Sequence, residues 1–228
     1  MYYSHSDSGV ALAEPVSLLG GPLPACKKTI DAQAQQIIDD ATDTSVAAAT
    51  RAAKAIKAIV TTYYPKSVGK FKTVTYDSSA KGLSVSSTGK GKTLQGEVTV
   101  GKDFLANIGP PYFARRVLQV GHEIIHVNQL RAGLGGGTNR ALREFLAHCW
   151  TALAPSFAGT GCVSHSTRVG MIDCALRYYR CMSAAQQKPY GAKVKALLAR
   201  RPLEIKASGN TFGPAPKTCS WPDIAKAC

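Results

Sequence analysis

Residues 121–126 read Gly-His-Glu-Ile-Ile-His, a stretch of the form H-E-x-x-H. On a helix, positions four apart share one face. His122 and His126 would then stand one turn apart and present two imidazoles to a single Zn²⁺. Glu123 lies beside them, placed to take a proton from water that the metal has made more acidic. The plainer reading is two satisfied histidines on a polar helix face, an accident involving two of the chain's 5 His.

The flanking residues favour a helix built to carry chemistry. Phe113, Val117, Val120, Ile124 and Val127 recur at steps of four and three, an apolar stripe suited to a core. His122 and His126 fall on roughly the opposite side, with Gln119 and Gln129 nearby. Pro110-Pro111 open this helix, predicted over 113–130, and Gly133 with Gly135–Gly137 close it. Upstream, the Ala-rich residues 27–64 predict two helices with a break near 40–44, ended by Pro65. From Lys70 the period changes to two. Phe71, Val74 and Tyr76, then Leu83 and Val85, then Leu94, Val98 and Val100 predict three short strands. Their order places a strand edge beside the histidines, where an extended peptide could pair as an added strand.

Catalytic zinc keeps three protein ligands and one open position, so two histidines are insufficient. A second helix is predicted from Thr138 or Asn139, either of which could cap it, to about Ala154. Leu142, Phe145, Leu146, Cys149 and Leu153 face a core, while Glu144 and His148 share the other side. A glycine turn between the two helices could bring them antiparallel and face Glu144 toward the imidazoles. The third-ligand candidates are Glu144 first, then His148, then a distant residue such as Asp173. The plain reading of Glu144 is a solvated charge near Arg140 and Arg143. Farther on, 165–182 and 192–200 predict helices, and 209–228 an irregular tail held by Cys219 or Cys228.

These residues resemble the gluzincin branch of zinc metallopeptidases, which includes the thermolysin-like proteins and the H-E-x-x-H-x18-E aminopeptidases. The resemblance covers about residues 113–154 and extends weakly to the strands before them. Seventeen residues separate His126 from Glu144, one fewer than in the aminopeptidase pattern. A metzincin continuation fails, because Gln129 and Ala132 stand where Gly and His would be required. The resemblance implies His122, His126 and Glu144 as ligands of Zn²⁺ and Glu123 as general base. It also implies a zincin-like α+β domain, mainly helical, with a small β-sheet preceding the H-E-x-x-H helix. His148 occupies the place where thermolysin-like proteins carry an Asp, leaving it as a ligand, an oxyanion stabiliser or a surface residue. We take it as a catalytic candidate, with Tyr178 and Tyr179 as alternative oxyanion donors. The order of elements also resembles small metallopeptidase toxin domains of bacterial secretion-system effectors.

Size and composition set the frame. The chain has 228 residues, 45% hydrophobic and 18% charged, enough for one substantial domain. We expect an arm over 1–25, the domain over 26–208 and the tail packed on it over 209–228. No apolar run is long enough to cross a bilayer, and the start lacks the pattern of a classical signal peptide. The 7 Cys form no C-x-x-C pair, and most lie in the second half. Two or three disulfides and a secreted or extracytoplasmic destination such as the periplasm follow, with buried free thiols as the alternative. Cys174 and Cys181 are too far apart on one helix to bridge each other.

A net charge of +14 draws the protein toward anionic surfaces, but the charges are dispersed, which disfavours nucleic acid as a partner. The expected activity is zinc-dependent peptide-bond hydrolysis, with a protein or peptide substrate, cell-wall peptide among them. An inhibitor or immunity protein is the expected partner of a toxin. A competing reading is a catalytically inactive zincin-like module that binds nucleic acid or cell-wall polymer. Another is a disulfide-stabilised structural or inhibitory domain with accidental histidines.

Overall fold

Two helices lead the described chain, and each forms where small and branched apolar residues recur at helical spacing. The computed structural model describes residues 28–89, 91–222, 224 and 228, so the expected arm over 1–25 lies outside the described residues. Helix α1 (Ala32–Thr42) begins where the Asp31 carboxylate accepts from the Ala34 amide at 2.7 Å, satisfying one of the unpaired first-turn donors. Its Ala34, Ile37, Ile38 and Ala41 are buried. Helix α2 (Ala48–Tyr63) buries Ala52, Ala55, Ile56, Ile59 and Val60 and packs against α1. Between them, the Asp43 carboxylate accepts from the Ser45 amide and hydroxyl, a local turn that competes with helix.

A mixed three-stranded sheet follows. Strands β1 (Phe71–Asp77), β2 (Leu83–Thr88) and β3 (Gln95–Gly101) lie in the order β1-β3-β2. β3 pairs parallel with β1 and antiparallel with β2. The central strand is the most buried, with Gly96, Val98 and Val100 inside. The register shifts between Phe71 and Thr73. This irregularity puts Phe71, Val74 and Tyr76 on the same partly covered side despite their unequal parity. The short helix α3 (Lys102–Ala106), which no periodicity announces, is tied to the β2 end by the Asp103 carboxylate, which accepts from the Gly82 amide.

Helix α4 (Phe113–Arg131) lies against β2, β3 and α2. Gly96 permits this approach: a Cβ there would stand 2.6 Å from Val85 Cγ2 and 2.8 Å from Val127 Cγ2 of α4. The expected two-sided helix differs in one respect. Arg116, Glu123, His126 and Gln129 are buried along with the apolar stripe. Pro110 and Pro111 precede the first turn, which opens with Tyr112 at the cap position. Gly133 ends the run with φ +81°, a conformation only glycine takes without strain. Residues 28–133 and Ser156–Cys162 make up one compact unit. In it, Asp31 donates its amide to the Gly159 carbonyl and Ile30 bridges Thr160.

The second unit comprises Leu134–Pro155 and the residues from Val163 onward. It contains α5 (Arg140–Leu153), α6 (His165–Arg180), the short α7 (Ala184–Gln187) and α8 (Gly191–Ser208). Phe145, Ile172, Leu176 and Leu197 form its fully buried centre, and Ile224 of the C-terminal segment joins them. Cys149 is buried in this core as a free thiol. Asn139 stands at the α5 cap position, but its side chain donates to the Gly135 carbonyl and does not cap the helix. Ser164 caps α6, and Ser183 with Gln186 forms a capping box on α7.

Helix α8 runs well beyond the expected end at 200, through Pro202. A proline removes one backbone donor and crowds the preceding turn. Ion pairs hold the far half in place. Glu204 is 1% exposed and accepts from Arg200 at 2.7 Å and from His165 at 2.6 Å. Arg201 grips Asp173 through two hydrogen bonds and also donates to the Gly213 carbonyl. Disulfides Cys174–Cys228 and Cys181–Cys219 fasten the last segment to α6 and its end. Cys162 is disulfide-bonded as well. The fold is α+β and mainly helical, as expected, and no described helix is long and apolar enough to cross a membrane.

Candidate metal centre

Hydrogen bonds to its flanks fix the position of α4. The Tyr64 hydroxyl donates to the Val117 carbonyl at 2.8 Å, and the Lys70 ammonium to Asn128 Oδ1 at 2.8 Å. Arg131 donates to the Leu94 carbonyl at 2.7 Å. Arg116 reaches the carbonyls of Asn107 and Asp103, and its guanidinium lies over the Phe104 ring. Burial pushes the Tyr64 phenol well above its ordinary pKa, so it remains a donor.

On this scaffold, His122 and His126 face each other. Their ring centroids are 4.6 Å apart with planes at 82°, and the two Nε2 atoms stand 3.0 Å apart. Nitrogens on one tetrahedral zinc, each at about 2.0–2.1 Å, lie roughly 3.3 Å from one another. The observed separation matches that to within a few tenths of an ångström. His126 Nδ1 pairs with Gln129 Oε1 at 2.9 Å, and both residues are buried. With the Gln129 amide oxygen as the accepting atom, Nδ1 is the donor and Nε2 is the ring nitrogen left to face His122 and a metal. Glu123, next to His122, is 7% exposed.

On α5, Glu144 keeps 24% of its side chain exposed, and His148 keeps 16%, with His148 Nε2 3.9 Å from Glu144 Oε2. The His148 ring stacks on Tyr178 of α6, centroids 5.3 Å apart and planes at 15°. Burial first, then the Glu144 charge, raises the Tyr178 phenol to about 12, with Arg140 opposing. Tyr179 instead packs on Phe145 and under Arg180. Asp173, the distant ligand candidate, is committed to Arg201.

One ligand atom from each of His122, His126 and Glu144 lies within 4.8 Å of the other two. His148 is not a member of this group. Two imidazoles and a carboxylate suit a first-row divalent cation better than calcium or magnesium, which favour oxygen. The three side chains could therefore hold one such ion, with Glu144 as the carboxylate of the group. Sequence reasoning missed the pairing of Gln129 with His126. Its signal was present: a polar residue one turn on, inside an apolar helix. The stacking of His148 on Tyr178 had no such signal, because it joins two helices.

Compared with protein-family models, curated proteins and solved structures, the chain matches none of them.

Proposed function

We propose that the protein is a zinc-dependent metallopeptidase, with His122, His126 and Glu144 holding the metal and Glu123 acting as general base. The observation that carries this reading is the convergence of the three ligand atoms within 4.8 Å. A His₂Glu set leaves a fourth position open to water or substrate. When bound, the metal supplies Lewis acidity, making water acidic and an amide carbonyl electrophilic.

The chain's own groups do the rest. Gln129 orients the His126 ring and keeps its proton on Nδ1. The Glu123 carboxylate accepts one proton from water as the water oxygen bonds to the carbonyl carbon. As the carbon–nitrogen bond breaks, Glu123 returns that proton to the departing amine. His148 and the protonated Tyr178 phenol, stacked beside Glu144, are the donors for the carbonyl oxygen as negative charge grows on it.

The disulfides suit an oxidising compartment outside the cytosol. The charge of +14 favours substrates on anionic surfaces, and cell-wall peptide crosslinks are the class we favour. An antibacterial effector held in check by an immunity protein is the setting that joins this chemistry to that compartment.

The test is elemental analysis of protein purified without chelator, together with hydrolysis of a casein-like substrate by the native chain and Glu123→Ala. The proposal requires zinc near stoichiometric in both and turnover in the native chain alone. Negligible zinc in the native chain would point instead to histidines without a catalytic role.

A further inference from the structure

A cleft of about 340 Å³ lies between α2 and β1, within the first unit. Its size is at the lower end of the range for small-molecule sites. Ile56 and Val60 of α2 and Phe71 and Val74 of β1 supply apolar walls. The register shift in β1 turns Phe71 and Val74 to the same side and leaves Lys72 exposed between them. Lys57, one position beyond Ile56, is the other charged residue of the lining. The lining has no acidic residue, and neither lysine has an ion-pair partner among the described residues.

Two further observations point to an occupant. Val68 lines the cleft and is 61% exposed, an apolar side chain left in water at its lip. Ser67, also in the lining, is 1% exposed, and among the described residues its hydroxyl has no hydrogen-bond partner, a condition that costs stability.

We propose that this cleft binds a small anionic amphiphile: a carboxylate on an unbranched hydrocarbon chain of about eight to twelve carbons. The chain would lie between α2 and β1 and cover Val68, and the carboxylate would meet Lys57 and Lys72. Apolar walls and only two cations do not suit nucleic acid, which needs a row of phosphate contacts. This inference is independent of the metal site.

The experiment is calorimetric titration of the full chain with decanoate below its micelle concentration, with decanol as the neutral control. Saturable single-site binding is expected, weakened about tenfold in the Lys57→Glu/Lys72→Glu double variant and by a similar factor for decanol. Ala53→Phe, which projects a ring into the cleft, should abolish binding. Circular dichroism checks that the variants fold. If Ala53→Phe fails that check, the double variant, altered only at exposed residues, decides alone. Absence of saturable binding to the native chain, or equal binding by native chain and variants, overturns the proposal. Decanol binding as tightly as decanoate overturns it too.

Discussion

His126 Nδ1 lies 2.9 Å from Gln129 Oε1, one helical turn further along the same buried face of α4. The pairing leaves Nε2 to face His122 Nε2, 3.0 Å away. Replacing Gln129 with Leu keeps the volume and removes the acceptor. Metal affinity should fall about 10–100-fold, read by competition with a chromophoric chelator. Gln129→Glu, which restores an acceptor, should recover most of it. Unchanged affinity in Gln129→Leu would mean that the pairing does not orient the ring.

Glu123→Gln tests the base separately from the metal. The variant should keep its zinc while turnover drops by about 10²–10⁴-fold. Loss of zinc together with activity would make Glu123 a structural support for the ligands instead.

Glu144 and His148 lie 3.9 Å apart, with different roles assigned. Glu144→Ala should lose zinc on dialysis, whereas His148→Phe should retain it, because an aromatic ring still stacks on Tyr178. Metal content after dialysis discriminates: zinc lost from His148→Phe and kept by Glu144→Ala would reverse the assignment.

The Tyr178 phenol is raised to about 12 by burial and by the Glu144 charge. In the unfolded chain a tyrosine titrates near 10. Its contribution to stability is therefore full below pH 10 and is lost as pH rises from 10 through 12. Denaturant midpoints at pH 9 and pH 11 should show this loss, and Tyr178→Phe should reduce the difference. An identical pH response in that variant would place the titration elsewhere.

Cys181 and Cys219 close a loop across 38 positions. Replacing both with Ser should lower the unfolding free energy by about 2–4 kcal/mol, measured by denaturant titration.

Periodic features were legible in the sequence. The helix carrying His122 and His126 was expected over 113–130 and spans 113–131. The change from helical spacing to period two after Lys70 marked the three strands. Non-local features were not legible. Nothing in strands of similar length says that β3 inserts between β1 and β2, because that order depends on which edges each strand can reach. The helix expected over 192–200 runs on through Pro202, where the pairs Arg200–Glu204 and Arg201–Asp173 offset one missing backbone donor. Glu144 ranks first from its place on the helix after the glycine turn and from the family resemblance, whereas the pairing of Asp173 with Arg201 had no sequence signal. Disulfide partners were likewise beyond reach, since several pairings satisfy the same cysteine count.

Cys149 sits in the core of the second unit, 4% exposed, with its thiol raised to about 11 by burial. Disulfide exchange requires a thiolate that can reach a sulfur bridge. The native fold withholds both the ionised form and the access, so it guards its crosslinks from its own spare sulfur. Any excursion that opens this unit at alkaline pH releases an internal nucleophile among those bridges, and scrambled isomers, instead of a clean return to the native state, are the consequence.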